Sequence, residues 1–345
     1  KTIKYINTDL YYLYYYNIIY ILFICFFAIS NTYAEENNKK FCLKNGPTKA
    51  QRIVIAHPPT IGLIYICGLS NKIIGCPMRS MGINFDKKLD TFYSTISPNL
   101  ANAVDVGVNV NYETLLSIKP DLVVTSSIIS MYGSLNEILD NSKIPYIAVP
   151  TMDGSLEDWL ESVKIIGEAT NRTNQTNKYI EYYKKCLTIV ESRIKNIPFK
   201  KRPKVALINT HSGNMILRGS RTKFFRNIMK IAGARILEDG DDPSSFSKCA
   251  EILFEFEPEI IIDDSRSNEF YNTDWFKELK PVKEGRIYKT PQDDKQSWIT
   301  NWSQPTYSCL GLLWLAKMFH PEVFKDIDIE KEHKYFFETF IKSEK

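Results

Sequence analysis

The feature that most constrains this chain is written in it twice. "YETLLSIKPDLVV" begins at Tyr112 and "AEILFEFEPEIII" begins at Ala250. Each copy carries Glu in second place (Glu113, Glu251) and Pro seven residues later (Pro120, Pro258). The apolar residues between them fall at helical spacing, and an acidic residue after the Pro leads into a β-branched run. Proline cannot continue a helix. Each copy therefore reads as helix, turn and inner strand, and two copies predict two lobes of like topology.

The surrounding segments agree. "RIVIA", "KIIGCP", "DLVVTSS" and "PYIAVP" are continuous apolar strands separated by helical patterns. That is the signature of a parallel sheet covered on both faces. "SLEDWLESVKIIGEATN" follows, with Ser155 as N-cap and Asp158 three residues on, close to a capping box. Then "TNKYIEYYKKCLTIVESRIKNI" runs without Gly or Pro, apolar at Ile180, Tyr183, Cys186, Val190 and Ile194, until Pro198 and Pro203 end it. It reads as one long amphipathic connector. The alternation restarts with "KVALINTHSGN", "SRTKFFRNIMKIAGA" (Ser220 as N-cap), "EIIIDD" and "GRIYKTP". The expected division is 35–152 for a first α/β lobe, 153–198 for the connecting helical segment and 199–345 for a second lobe. A length of 345 residues suits two such domains.

The first 34 residues read differently. Lys1 and Lys4 precede an apolar, aromatic stretch from Tyr11 to Ile29, and Thr-Tyr-Ala ends at Ala34. This is the layout of a cleaved secretory signal over 1–34. The stretch approaches the length of a membrane span, so an uncleaved anchor is the alternative. Cys25 lies behind "LFI", a poor lipoprotein box. A net charge of +4 without a Lys/Arg-rich run argues against nucleic acid as partner. Of the seven cysteines, none forms a CxxC pair, and Cys67, Cys186 and Cys309 fall in apolar helical patterns where buried thiols are expected.

Ligands of open α/β sheets sit beyond the carboxyl ends of the strands. Two facing lobes put two sets of such ends around one cleft. The candidates in the first lobe are His57, Met78, Arg79, Ser80, Ser126, Ser127, Met131 and Tyr132. In the second they are Thr210, His211, Ser212, Arg218, Arg221, Asp264, Ser265 and Arg266, with Trp298 and Trp302 from "DDKQSWITNW". His57 and His211 each end the first strand of a lobe and are candidate metal ligands. Converging arginines would suit an anionic chelate, and Trp298, Trp302 and Tyr132 would offer flat faces to a ring-bearing ligand. Trp275 and Trp314 read as core, and His320 and His333 as surface or helix-end residues. Asp263-Asp264, a paired acid at a strand end, reads as a metal ligand or base, or equally as a turn cap. The motifs GxSxG, GxGxxG, GxxxxGK[ST] and HExxH do not occur.

"VGVNVNYETLLSIKPDLVVTSS", the connecting helix, "FKELKPVKEGRIYKTP" and "SQPTYSCLGLLWLAKMFHPEVF" together resemble the periplasmic substrate-binding proteins of siderophore, haem and cobalamin ABC importers. The resemblance covers most of residues 50–340. It implies two α/β lobes bridged by one rigid helix, with the ligand between them. It implies a monomeric, periplasmic, non-enzymatic receptor without a resident cofactor. Its partners would be an inner-membrane permease and its cytoplasmic ATPase, with Glu113 and Glu251 engaging permease arginines, one per lobe. The cargo implied first is a ferric siderophore. Nickel or cobalt, free or as a small chelate such as a histidine complex, haem and cobalamin follow. A bare-metal receptor using His57, His211 and Asp264, and an enzyme on a related two-lobed metal-cluster architecture, are the competing readings.

Overall fold

A computed structural model describes residues 42–342, except 47, 82–95, 108, 128, 152–153, 212–213, 219–221, 239, 241–245, 266–268 and 296. The expected signal segment, Ser220, Arg221 and Arg266 thus lie outside the described residues. Two sheets organise the chain. The first has strand order β1-β6-β5-β2-β3-β4. Its strands are β1 (Cys42–Lys44), β2 (Ile53–Ile55), β3 (Ile73–Cys76), β4 (Val104–Asp105), β5 (Leu122–Ser126) and β6 (Tyr146–Val149). All pairs are parallel except β1 with β6. The second sheet is built on β7 (Lys204–His211), with β10 (Ile260–Asp263) and then β11 (Ile287–Lys289) parallel on one side. On the other side, β9 (Arg235–Ile236) pairs parallel with the start of β7, and β8 (Asn214–Ile216) folds back on its end.

Helices α1 (Ile61–Ile66), α2 (Tyr112–Ser117), α3 (Ile129–Ser142) and α4 (Leu156–Ala169) belong to the first half, and α5 (Thr173–Ile194) is the long connector. Helices α6 (Lys223–Ile231), α7 (Phe246–Phe256), α8 (Asp274–Glu278), α9 (Lys280–Lys283), α10 (Ser308–Phe319) and α11 (Ile329–Phe336) follow. The expected capping box forms: Ser155 Oγ accepts from the Asp158 amide, and Asp158 accepts from the Ser155 amide. At α6 it is Thr222, not Ser220, that stands at the N-cap. Among the described residues, no helix is long and apolar enough to cross a membrane.

Strand alternation sorts the core into three bodies. Ile53, Ile55, Leu122, Val124, Val205, Leu207, Ile260 and Ile262 all face one large central cluster, which α4, α5 and α10 complete. The opposite faces bury Val54 and Val123 in an outer cluster of the first lobe, and Ala206, Ile208 and Ile261 in an outer cluster of the second. Each sheet is thus covered twice, as continuous apolar strands require. The 22-residue α5, about 33 Å long, sits in the central body. Tyr179 Oη donates to the Thr306 carbonyl (2.9 Å) and accepts from Trp159 Nε1 (3.1 Å). Tyr183 Oη bonds Ser308 Oγ (2.8 Å) and Gln175 Nε2 donates to the Thr339 carbonyl (3.0 Å). One helix is therefore pinned to elements of both halves, which makes it a stiff axis rather than a linker. Phe340 and Ile341, from the turn after α11, also join the central cluster and bring the end of the second half back onto α1.

The duplicated stretches adopt one structure. From Glu113 to Val124 and from Glu251 to Ile262, the sequence of exposed, half-buried and buried positions is the same residue by residue. Leu115 and Leu253 enter the two outer clusters. Lys119 and Glu257 both take left-handed backbone (φ 48° and 51°), the reversal that ends a helix. The acidic residue after the Pro then clamps the neighbouring first strand. Asp121 accepts from the Arg52 amide (3.0 Å), and Glu259 Oε1 accepts from the Lys204 amide (3.0 Å). The duplicated segment is therefore a helix stop and a strand registration device, used once per lobe.

Candidate functional site

The two halves meet where strand ends should meet a ligand. Ser297, in the loop after β11, donates through Oγ to the carbonyl of Met81, in the turn after β3 (2.7 Å). Met78, Met81, Ile299 and Trp302 share the central cluster beneath this contact. The carboxyl ends of β2, β3, β5 and β6 lie along one edge of the first sheet and those of β7, β10 and β11 along one edge of the second; these two edges are the candidate walls, first and second, of a ligand site.

On the first wall His57 ends β2 and faces the end of β6, where its Nε2 lies 3.3 Å from Thr151 Oγ1. Burial pushes its pKa down to about 4, so the imidazole is neutral at physiological pH. Ser126 is fully buried and Ser127 half-buried beside it in the chain, so this wall is rich in hydroxyls. Thr151 did not figure among the sequence candidates; its position directly after the strand-closing Pro150 was the signal that could have found it.

On the second wall the acid pair divides. Asp263 is fully buried and saturated. It accepts from the Ser265 amide (2.9 Å), Ser265 Oγ, Tyr271 Oη (2.8 Å) and Lys289 Nζ (3.3 Å). That is the turn-cap reading. Asp264 accepts from Asn209 Nδ2 at Oδ2 (2.9 Å), while its buried Oδ1 makes no hydrogen bond among the described residues. Desolvation raises its pKa to about 6. Arg218 is half-buried. The side chains of Arg79, Tyr132 and His211 lie outside the described residues.

Several sequence expectations change place. Trp302, expected as an open face, is only 5% exposed. It packs against the His333 ring (5.4 Å between centroids), and the loop carrying it folds back through its amide onto the Pro291 carbonyl (2.9 Å). Trp298 stays half-buried in the same loop. Met78 is fully buried too and lends its amide, not an open side chain, to Asp105 Oδ1 (3.2 Å). His320 and His333 do stand at helix ends, as the C-cap of α10 and in the last turn of α11, and His333 pairs with Asp293 (2.8 Å), which raises its pKa. His320 is buried against the Gly233 carbonyl (3.2 Å). Cys67, Cys186 and Cys309 are buried free thiols, as expected. Among the described residues no group of three or more His, Cys, Asp and Glu side chains is arranged to hold a metal ion.

The tips are the second candidate surface. Glu113 and Glu251 are exposed, and no ion pair among the described residues engages either carboxylate.

Residues 53–293 match the family model described as periplasmic binding protein. The chain is 22% identical over 321 residues to the molybdate-binding protein MolA of Haemophilus influenzae, covering 86% of this chain and 88% of that protein. It is 23% identical over 302 residues to the uncharacterized ABC transporter substrate-binding lipoprotein YvrC of Bacillus subtilis, covering 86% and 87%. The structure of CeuE from Helicobacter pylori with Ni(II) bound shares the fold at a TM-score of 0.63, with 17% identity over 86% of this chain and 91% of that one.

Proposed function

The chain belongs to the periplasmic binding protein family, and from that premise we propose that it captures an anionic metal complex in which oxygen already surrounds the metal. As a member it is a solute-binding component of an ABC transporter rather than an enzyme, and it acts outside the cytoplasm. A ferric siderophore is the cargo we place first. The observation that carries this reading is the chemistry of the first wall. A neutral, desolvated His57 beside Thr151, with the half-buried Ser127 at the next strand end, is a set of uncharged donors. Such donors address the outer oxygens of a complex; a bare cation calls for carboxylates. Arg218 on the second wall adds positive charge for an anion. Molybdate is the second reading, favoured by the similarity to MolA, because it too is a metal enclosed in oxygen. Nickel or cobalt chelates, haem and cobalamin rank below these.

The receptor acts as a monomer and hands its cargo to an inner-membrane permease driven by a cytoplasmic ATPase, with Glu113 and Glu251 as the two docking carboxylates. Two charges at separate tips fix orientation as well as attraction. The test of cargo is tryptophan fluorescence, with Trp298 half-buried in the loop between the walls. It is titrated with a ferric catecholate, molybdate, Ni(II) with and without histidine, haem and cobalamin. Saturable quenching by the ferric chelate or molybdate, weakened by His57→Ala, supports the reading. Tight binding of free Ni(II) alone would overturn it.

A further inference from the structure

The tips expose more than their carboxylates. One helical turn beyond Glu113 stands Leu116, 41% exposed, and one turn beyond Glu251 stands Phe254, 46% exposed. Only six large apolar side chains are exposed among the described residues, and two of them fall on this single repeated position. Residues three apart lie on one helix face. Each lobe therefore presents a carboxylate with an uncovered apolar side chain directly beside it. The neighbouring Leu115 and Leu253 are fully buried in the outer clusters, so the fold spends one leucine of each helix on its own core and leaves the next residue outside. Identical caps, Lys119 and Glu257 in left-handed backbone, fix both helices in the same way.

We propose that Leu116 and Phe254 are apolar plugs that seat in the membrane permease next to the Glu113 and Glu251 contacts, making each tip a two-part key. The inference rests on the docking role given above and extends it to residues outside any charge pairing. The occupant follows from the pattern. A surface written twice fits a partner with two equivalent sockets, and the uncompensated carboxylates require those sockets to be cationic. A cationic socket with an apolar floor on the outer face of a two-fold permease meets both conditions. One exposed apolar side chain is ordinary on a protein surface; its recurrence at the same position of both copies, beside the same carboxylate, is what sets this pair apart. The position also places the contact near the cargo. In a β-α-β crossover the helix runs back against the strands. The first turn of α2 therefore lies at the carboxyl edge of the first sheet, where β4 ends in the Asp105 that holds Met78.

The experiment uses the chain's own permease–ATPase complex in proteoliposomes, with binding read by flotation and coupling by stimulated ATPase, at low and high salt. Leu116→Ser and Phe254→Ser should each weaken binding about tenfold, the pair more, by removing apolar burial. That loss should persist at high salt, whereas the loss in Glu113→Gln/Glu251→Gln should shrink as salt screens the wild-type contact. Phe199→Ser, at an exposed apolar position outside the tips, should change nothing. Cargo quenching and melting temperature of the Ser variants should match wild type. Wild-type affinity in the Leu116→Ser/Phe254→Ser pair overturns the inference while leaving the glutamate docking intact. No binding by wild type overturns the docking reading itself. Concentration-dependent self-association that the Ser pair abolishes assigns the patch to a second copy and also overturns it.

Discussion

His57 gives the sharpest test of the site. His57 is half-buried at the end of β2, and desolvation lowers its pKa from 6.5 to about 4. The sign follows from linkage. A base with a depressed folded-state pKa contributes stability that is present above the unfolded value of 6.5. That stability is lost as pH falls toward 4, because the unfolded chain takes up the proton first. The full depression corresponds to about 3 kcal/mol, and between about pH 7.5 and about pH 5 some 2 kcal/mol of it should be lost. Two other groups oppose this in the same window. Asp264, raised to about 6, relieves its penalty as it protonates. His333, raised by Asp293, contributes stability below 6.5 that is lost as pH rises through its folded value. The pH profile of the wild type alone therefore mixes opposing contributions and does not isolate His57. The informative quantity is the difference from His57→Gln, which keeps a hydrogen-bonding partner for Thr151 and cannot titrate. Urea unfolding at both pH values should show the wild type losing about 2 kcal/mol relative to the variant. A ring-proton NMR titration should place one histidine signal, absent from the variant, near pH 4. Equal losses in both proteins, or a midpoint near 6.5, would refute the argument that the first wall is dry and His57 uncharged.

Asp264→Asn should stabilise the protein by about 1–3 kcal/mol at neutral pH and by little near pH 4, since the depressed ionisation it removes is costly only above the unfolded carboxylate value; unfolding at the two pH values checks the sign. Lys119→Gly and Glu257→Gly should each raise stability by roughly 0.5–1 kcal/mol in urea unfolding, because left-handed backbone costs a side chain and not glycine. Gly311→Ala should cost about 2 kcal/mol or more and shift the intrinsic tryptophan emission. The added Cβ would stand 2.4 Å from the Trp302 carbonyl, a backbone atom that can yield only by moving the loop between the walls.

Local chemistry made the scaffold readable. The repeated Glu, Pro and acid announce α2 with β5 and α7 with β10 because a helix stop and a strand clamp each need specific residue types at fixed spacing. The connector was visible for the same reason: its apolar positions recur at one period. What escaped lies in contacts between distant segments. Trp302 looks like a loop aromatic, but α10 brings Gly311 against its carbonyl and α11 lays His333 on its ring. His320 and His333 look like stray polar residues, yet Gly233 and Asp293, far off in sequence, decide their surroundings. The strands β1, β4, β8 and β9, two or three residues each, went unread because none of them stands in a continuous apolar run such as the "RIVIA" that marks the equally short β2. The first candidate wall is legible at His57, whose strand end is local, and less so at Thr151: Pro150 marks the strand end, but its nearness to His57 comes from the pairing of β5 between β2 and β6.

The two halves agree in one respect and differ in another, and the contrast has a physical reading. Their outer helices keep the same burial pattern, the same reversal and the same carboxylate with an apolar neighbour. Their inner walls do not match: one offers His57 and hydroxyls, the other Asp263, Asp264 and Arg218. A partner with two equal sockets is satisfied only if both tips are alike, since a mismatch at either loses the orientation that two points provide. A single cargo seated once between the walls imposes no such equality. It touches each wall with a different part of its surface, and unlike walls can then match unlike faces. Under the proposed docking and cargo roles, equality outside and inequality inside would let one molecule recognise a symmetric membrane complex and a small solute with the same pair of sheets.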